Sequence, residues 1–264
     1  MRAIGLCYHD VIEGSLPDAS GFPGSTAARY KFGGEEFSAQ MDALAGAGVQ
    51  VTADVRTLGS GGGALPLLLT FDDGGTGALA AADRIERHGW RGHFLITAGR
   101  VGTAGFLDRA GVRELHRRGH VVGTHSWSHP ERMSVLSGEE QRAEWTRSIA
   151  LLADILGAPV DVASVPGGYF DANVALAAAR SGLRVLFTSE PTVRPALVEG
   201  CLVAGRYSVM QGMSPESVAA IAAGRILPRA FQSLTWNGKK AAKAVGGEYY
   251  LKLRRFIIGR RSKR

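Results

Sequence analysis

Short apolar runs recur along this chain at intervals filled by helix-like patterns, and that alternation restricts the fold more than any single residue does. The runs are Ala3–Tyr8, Gln50–Ala53, Leu67–Phe71, Gly92–Thr97, His120–Thr124, Val160–Ser164 and Arg184–Thr188. Each is rich in Val, Ile, Leu or Phe and short enough to be a strand buried on both faces, as strands of parallel sheets are. Between them the spacing predicts helices near 34–47, 77–89, 104–118, 137–156 and 171–182. The fourth carries the clearest signals: Ser137-Gly138-Glu139-Glu140 reads as a capping box, Ile149, Leu152 and Leu156 mark an apolar face, and Gly157 ends it. Alternation of this kind predicts a parallel sheet wrapped by helices, closed or nearly closed into a barrel. Chemistry in such folds gathers at the carboxyl ends of the strands.

Three of those ends carry groups suited to chemistry. The third run leads into Thr70-Phe71-Asp72-Asp73-Gly74. Two adjacent carboxylates after an apolar strand are costly to desolvate together, so a cation, a shared proton or solvent must offset the cost. The fifth leads into His125-Ser126-Trp127-Ser128-His129-Pro130. On one helical turn, residues four apart share a face, which would let both imidazoles reach one ion. Two histidines and a carboxylate complete a metal site with open positions for water and substrate. The sixth leads into Val165-Pro166-Gly167-Gly168-Tyr169, where glycines let backbone N–H groups approach a ligand closely and serve a developing oxyanion.

Thr70–Gly74, His125–Pro130 and Val165–Tyr169, in this order and spacing, resemble the three motifs of the NodB-homology polysaccharide deacetylases, carbohydrate esterase family 4. The resemblance covers about residues 65–190, and Tyr8-His9-Asp10-Val11 is similar to the first strand of several members. It implies an α/β fold, a distorted (β/α)7 barrel, with one divalent metal, usually Zn2+, and hydrolysis of N-acetyl groups on amino sugars. It further implies Asp72 as the catalytic base, Asp73, His125 and His129 as the metal ligands, and Gly167 as the amide that binds the oxyanion. Two departures stand out. The third motif of the family begins with an arginine that pairs with the catalytic aspartate, and here Ser164 occupies that position. The family's late histidine, which supplies the general acid, has no counterpart after His129. His9 at the end of the first run and Glu190 after the last one are the two substitute proton donors.

Charge is unevenly placed. Residues 239–264 hold ten Lys and Arg against Glu248 alone, a net +9, while the other 238 residues hold 21 basic and 23 acidic side chains, a net −2. Tyr250, Leu253 and Ile257 recur at helical spacing within that segment. A basic amphipathic stretch suits an anionic membrane surface, each added charge contributing about 1 kcal/mol near the lipid. A terminal helix capping the domain is the alternative. The acidic body shows no recognition motif for nucleic acid, and none is expected as a partner. We expect one catalytic domain over 1–238 and a basic tail over 239–264.

The start, Met1-Arg2 followed by Ala3 to Cys7 and then Tyr8-His9-Asp10, is too short an apolar run for a secretory signal, which predicts a cytoplasmic chain, peripheral at the inner membrane face. The only cysteines, Cys7 and Cys201, form no CxxC pair, which points to buried thiols rather than a disulfide or a cysteine zinc site. The expected substrate is an N-acetylated or N-formylated amino sugar, as an intracellular glycan or lipid-linked saccharide. Two other readings are a hydrolase of a small amide or cyclic ureide on the same fold, and a non-catalytic sugar-binding relative. An iron(II) site of two His and one carboxylate fits the strand pattern less well.

Overall fold

The computed structural model of the chain describes residues 1–14, 16–58 and 65–238. The basic segment 239–264 lies outside the described residues. The strands are β1 (Ile4–Tyr8), β2 (Asp10–Ile12), β3 (Lys31–Gly33), β4 (Leu67–Phe71), β5 (His93–Ile96), β6 (Val121–Thr124), β7 (Val162–Ser164), β8 (Val185–Phe187), β9 (Ala196–Val198), β10 (Cys201–Ala204) and β11 (Tyr207–Ser208). The helices are α1 (Ser25–Ala28), α2 (Gly34–Gly46), α3 (Ala78–Glu86), α4 (Arg109–Arg117), α5 (Gly138–Leu156), α6 (Ala172–Arg180), α7 (Pro215–Ala222) and α8 over 226–238. No helix among the described residues is long and apolar enough to cross a membrane.

The main sheet runs β11-β1-β4-β5-β6-β7-β8-β10-β9, with β9 antiparallel to β10 and every other pairing parallel. Strands β10 and β11 are successive pieces of one extended stretch, interrupted at Gly205-Arg206. The first piece pairs with β8, as in Val203 with Leu186, and the second with β1, as in Leu6 with Tyr207. The stretch 201–208 therefore closes a ring of seven staves, a distorted (β/α)7 barrel. Strands β2 and β3 form a small separate sheet beside the mouth.

Each stave is buried on both faces, and alternation decides which side chain faces where. On β4, Leu67, Leu69 and Phe71 pack under the helices with Ile4, Leu6 and Ile85. Leu68, between them, joins Leu95, Val162, Val185 and Phe187 inside the barrel. Thr70 and Asp72 continue the Leu68 face, so an apolar floor rises through a hydroxyl to a carboxylate at the mouth. The capping box at Ser137 and Glu140 is present, and α5 ends at Gly157 with φ 63°, a left-handed residue that glycine adopts at little cost. Asp108 and Asp171 cap α4 and α6 through the N–H groups of Gly111 and Val174.

Two expectations need correction. Gln50–Ala53 is not a stave: only Val51 bridges to Leu67, and the chain then turns away through the 3-10 turn Val55–Thr57. The true seventh stave is 201–208, whose apolar run is split by Gly205-Arg206. The segment expected as one helix over 104–118 begins only at Arg109, because Gly102 and Gly105 take φ of 80° and 82° and hold the preceding chain in turns.

Candidate active site

Asp72 and Asp73 follow β4 directly, and the backbone sends their side chains apart. Asp72 N–H donates to the Tyr8 carbonyl (3.0 Å), continuing the sheet. Asp73 takes φ 78°, which turns it out of the strand. Of four non-glycine residues with positive φ among the described residues, three are Asp73, Ser126 (67°) and His129 (59°). Such conformations cost on the order of 1–3 kcal/mol each and persist where surroundings enforce them. Here Glu144 of α5 enforces the loop, accepting from the N–H groups of Trp127 (3.0 Å) and Ser128 (2.8 Å) and from Ser128 Oγ (2.7 Å). His125 and His129 therefore converge from a strained loop and not from one helical turn, as their spacing had suggested.

The convergence is close. One donor atom each from Asp73, His125 and His129 lies within 4.8 Å of the others. Asp73 Oδ1 is 3.6 Å from His125 Nε2 and 3.5 Å from His129 Nε2. That oxygen is buried and has no hydrogen-bond partner among the described residues. Donor atoms about 2.0–2.1 Å from a tetrahedral ion lie about 3.3–3.4 Å from one another. The three groups thus sit too far apart to satisfy each other and at the separation that a shared ion requires, so they fit a divalent metal. Burial pushes the Asp73 carboxyl up to about 6, a cost that a cation beside it would offset. Burial pulls the His125 imidazole down to about 3 and lowers His129, which keeps both rings neutral, as ligands must be. His125 Nδ1–H points to Ser164, reaching its carbonyl (3.1 Å) and its hydroxyl (2.5 Å), and this leaves Nε2 free for the ion.

Asp72 has a different partner set. Arg206 Nη1 donates to Oδ1 (2.7 Å) and Nη2 to Oδ2 (2.8 Å), with both residues fully buried. Ser164 Oγ donates to Oδ1 (3.0 Å) and Cys7 Sγ to Oδ2 (3.5 Å). Burial alone would raise this carboxyl. The Arg206 guanidinium, through its charge and its hydrogen bonds, outweighs it and holds Asp72 well below the usual carboxylate range. Arg206 stays charged in turn because Asp72 outweighs its own burial. Its Nη1 also reaches Thr70 Oγ1 (3.0 Å) and its Nε the Thr188 carbonyl (3.2 Å). Room for it comes from Gly5, where a Cβ would stand 2.9 Å from Arg206 Cγ.

The remaining predicted residues separate. His9, at the carboxyl end of β1, groups with Cys7 and Asp72, ligand atoms within 4.8 Å, and its Nδ1 is buried without a hydrogen-bond partner among the described residues. Glu190 is in neither group; it follows β8 with its carbonyl against Gly205. Gly167 (φ 67°) stands in the turn Pro166–Gly168 after β7, where a Cβ would lie 2.4 Å from the Glu131 carbonyl. Cys7 and Cys201 are both buried free thiols.

A loop over the mouth completes the site. Phe22 packs at a tilt against the His129 ring (4.5 Å between centroids, 41° between planes) and meets Phe106 edge-on (5.0 Å). Buried Lys31 ties this loop down, its ammonium donating to the carbonyls of Pro17 (2.6 Å), Ser20 (2.5 Å) and Phe22 (2.7 Å). Neither residue stands out in the sequence. Arg206 left a readable trace: a charged residue in the middle of Cys201–Ser208, an otherwise apolar and small-residue run.

The polysaccharide deacetylase family model matches residues 62–186, the stretch from before β4 to β8. Residues 62–186 are thus similar to the polysaccharide deacetylases. The first two motifs within the matched stretch supply the Asp73–His125–His129 cluster. The third supplies Ser164, with Arg206 from another stave making the ion pair that a motif arginine makes in the family. YxkH of Bacillus subtilis (strain 168) is 24% identical over 155 residues, 58% of this chain and 55% of its own length. The chain's matches span about half the length of its curated relatives. Among solved structures, the Streptococcus pyogenes deacetylase PplD, in complex with acetate, superposes with a TM-score of 0.66 at 20% identity, covering 82% of this chain and 96% of PplD. IcaB from Ammonifex degensii gives 0.66 at 24% identity, covering 84% and 97%. At these identities the structural likeness speaks for the deacetylase fold.

Proposed function

We propose that the chain is a metal-dependent hydrolase that removes an N-acetyl or N-formyl group from an amino sugar. The observation that carries this reading is the cluster of Asp73, His125 and His129 with a separate, arginine-paired Asp72 beside it. In this reading the cluster holds one divalent ion, Zn2+ by its donor set. Such an ion, when bound, polarises an amide carbonyl and lowers the pKa of water to about 7. Asp72 accepts the proton of the attacking water as the new C–O bond forms; Arg206 and Ser164 keep it charged and aimed. The Gly167 amide faces the carbonyl oxygen as it gains charge. His9 gives a proton to the nitrogen as the C–N bond breaks, leaving a carboxylate and a free amine. Glu190, outside both clusters, is the weaker donor and is set aside in favour of His9.

The same proposal takes 1–238 as the catalytic domain and 239–264 as a basic extension that meets an anionic membrane, with the chain in the cytoplasm. A lipid-linked saccharide would be a fitting substrate there. The test is metal content by mass spectrometry together with acetate release from N-acetylated amino-sugar oligomers, with cyclic ureides in parallel. We expect about one divalent ion per chain, its loss in His129→Ala, and acetate release that disappears with it. Metal-free protein after zinc supply, or turnover of ureides alone, would overturn the reading.

A further inference from the structure

Helix α8 is built the wrong way round for a surface helix. Its half-buried positions are Pro228, Arg229, Gln232, Ser233 and Trp236, while Ile226, Leu227, Phe231 and Leu234 are 75, 84, 69 and 72% exposed. At 100° per residue the exposed apolar side chains and Ala230 fall on one face, and the half-buried ones on the opposite face. Polar contacts pin the inner face: Gln232 Nε2 donates to the Ser208 carbonyl (2.9 Å) and Ser233 Oγ to the Pro191 carbonyl (3.0 Å). Trp236 lies beside Gly168, where a Cβ would be 3.1 Å from its ring. Ser208, Pro191 and Gly168 all stand at the carboxyl ends of staves β11, β8 and β7. The outward apolar stripe is therefore fixed to the same end of the barrel as the catalytic cluster.

Exposed patches of this size mark a surface that meets something, and charge decides what. The 26 residues that follow α8 carry +9. A second copy docking by the same stripe would bring two such segments together, an unfavourable approach; an anionic lipid surface attracts them. We propose that α8 is a membrane-docking element, with Ile226, Leu227, Phe231 and Leu234 entering the headgroup–acyl boundary of an anionic bilayer and the 239–264 charges holding the surface. Docked this way, the mouth of the barrel opens beside the headgroups, so the accessible substrate is a saccharide carried on lipid. The docking goes beyond the hydrolase reading and does not depend on it, because it is read by binding and not by turnover.

The experiment is co-sedimentation of the full chain with phosphatidylcholine vesicles, with and without about 30% phosphatidylglycerol. Wild type should bind the anionic vesicles only. Phe231→Ser/Leu234→Ser, which keeps every tail charge and touches exposed side chains alone, should bind about tenfold more weakly or worse with an unchanged melting midpoint. A fluorophore attached through Leu227→Cys, with both native thiols buried, should shift to the blue on anionic vesicles; this arm needs no loss of binding and covers any folding defect of the double variant. Wild type that ignores anionic vesicles overturns the proposal. So does a double variant that binds as well as wild type, which would leave the tail acting alone. A dimer in light scattering that Phe231→Ser/Leu234→Ser dissolves would overturn it too, assigning the stripe to a second copy.

Discussion

Arg206 grips both oxygens of Asp72, at 2.7 and 2.8 Å, across 134 positions of sequence. Neither residue is reached by solvent to any useful extent, so each charge exists because the other does. Arg206→Ala would leave a buried carboxylate alone, and breaking such a pair costs about 3–5 kcal/mol. We expect that loss in denaturant unfolding, together with a fall in acetate release on the order of a hundredfold, the scale of a misplaced general base. Arg206→Lys keeps a charge but loses the two-pronged grip, and should recover stability better than activity. Full activity in Arg206→Ala would show that the pair does not orient the base.

Gly5 makes space for that pair, and Gly205 makes space for the chain that follows β8. An alanine at Gly5 would press its Cβ to 2.9 Å from Arg206 Cγ, and one at Gly205 to 2.2 Å from the Glu190 carbonyl. The first obstacle is a side chain that can shift; the second is backbone. Overpacking costs about 1–3 kcal/mol, so Gly205→Ala should lower the melting midpoint more than Gly5→Ala. The reverse order would mean that the Arg206 side chain is less yielding than the backbone around Glu190.

Lys31 is expected to act on the site through Phe22. Lys31→Met leaves three buried or half-buried carbonyls without their donor, each costing about 1–3 kcal/mol where water cannot reach it. Limited proteolysis should then cut within 16–24 faster than in wild type. KM for an amino-sugar substrate should rise more than kcat falls, because Asp72, Asp73, His125 and His129 keep their own supports. Proteolysis at the wild-type rate would show that the loop stands without the lysine.

His93 makes stability depend on acid. It is fully buried, accepts from the Val55 N–H at Nε2 (2.9 Å) and faces the Leu69 carbonyl with Nδ1 (3.1 Å), and burial lowers it to about 4. The unfolded chain, with its histidine near 6.5, therefore binds the proton first as pH falls. Stability is full above about 6.5 and declines down to about 4, by roughly 3 kcal/mol from this residue. Asp10, raised to about 6 by burial, works in the opposite direction over an overlapping range. The contribution of His93 is isolated by comparing melting midpoints of wild type and His93→Gln from pH 7 to 4.5. The gap between them should narrow on the acid side; a constant gap would mean that His93 does not titrate in this window.

Much of the barrel was legible because six of its staves are uninterrupted apolar runs, and the meeting of Asp73, His125 and His129 was legible because they occur at fixed spacing after two of them. The seventh stave was hidden by Gly205-Arg206, the feature that makes it useful. A glycine and a charge read as a loop when the carboxylate that neutralises the charge is far away in sequence. Gln50–Ala53 was misleading for the converse reason: its apolar side chains bridge to β4 at one residue only and leave. The strained loop at His125–His129 could not be foreseen either, since the positive φ values are imposed by Glu144 from α5. Spacing told which residues meet; it did not tell by what backbone path.

The stave that completes the ring is also the one that delivers Arg206. Until 201–208 has paired with both β8 and β1, Asp72 lies in an open-sided sheet with no countercharge, and it is then an ordinary acid. Completion of the fold and the burial of Asp72 as a paired carboxylate are thus a single event, placed late by the length of chain that must be ordered first. A chain stalled before closure would bring Asp73, His125 and His129 together and still leave Asp72 without its partner.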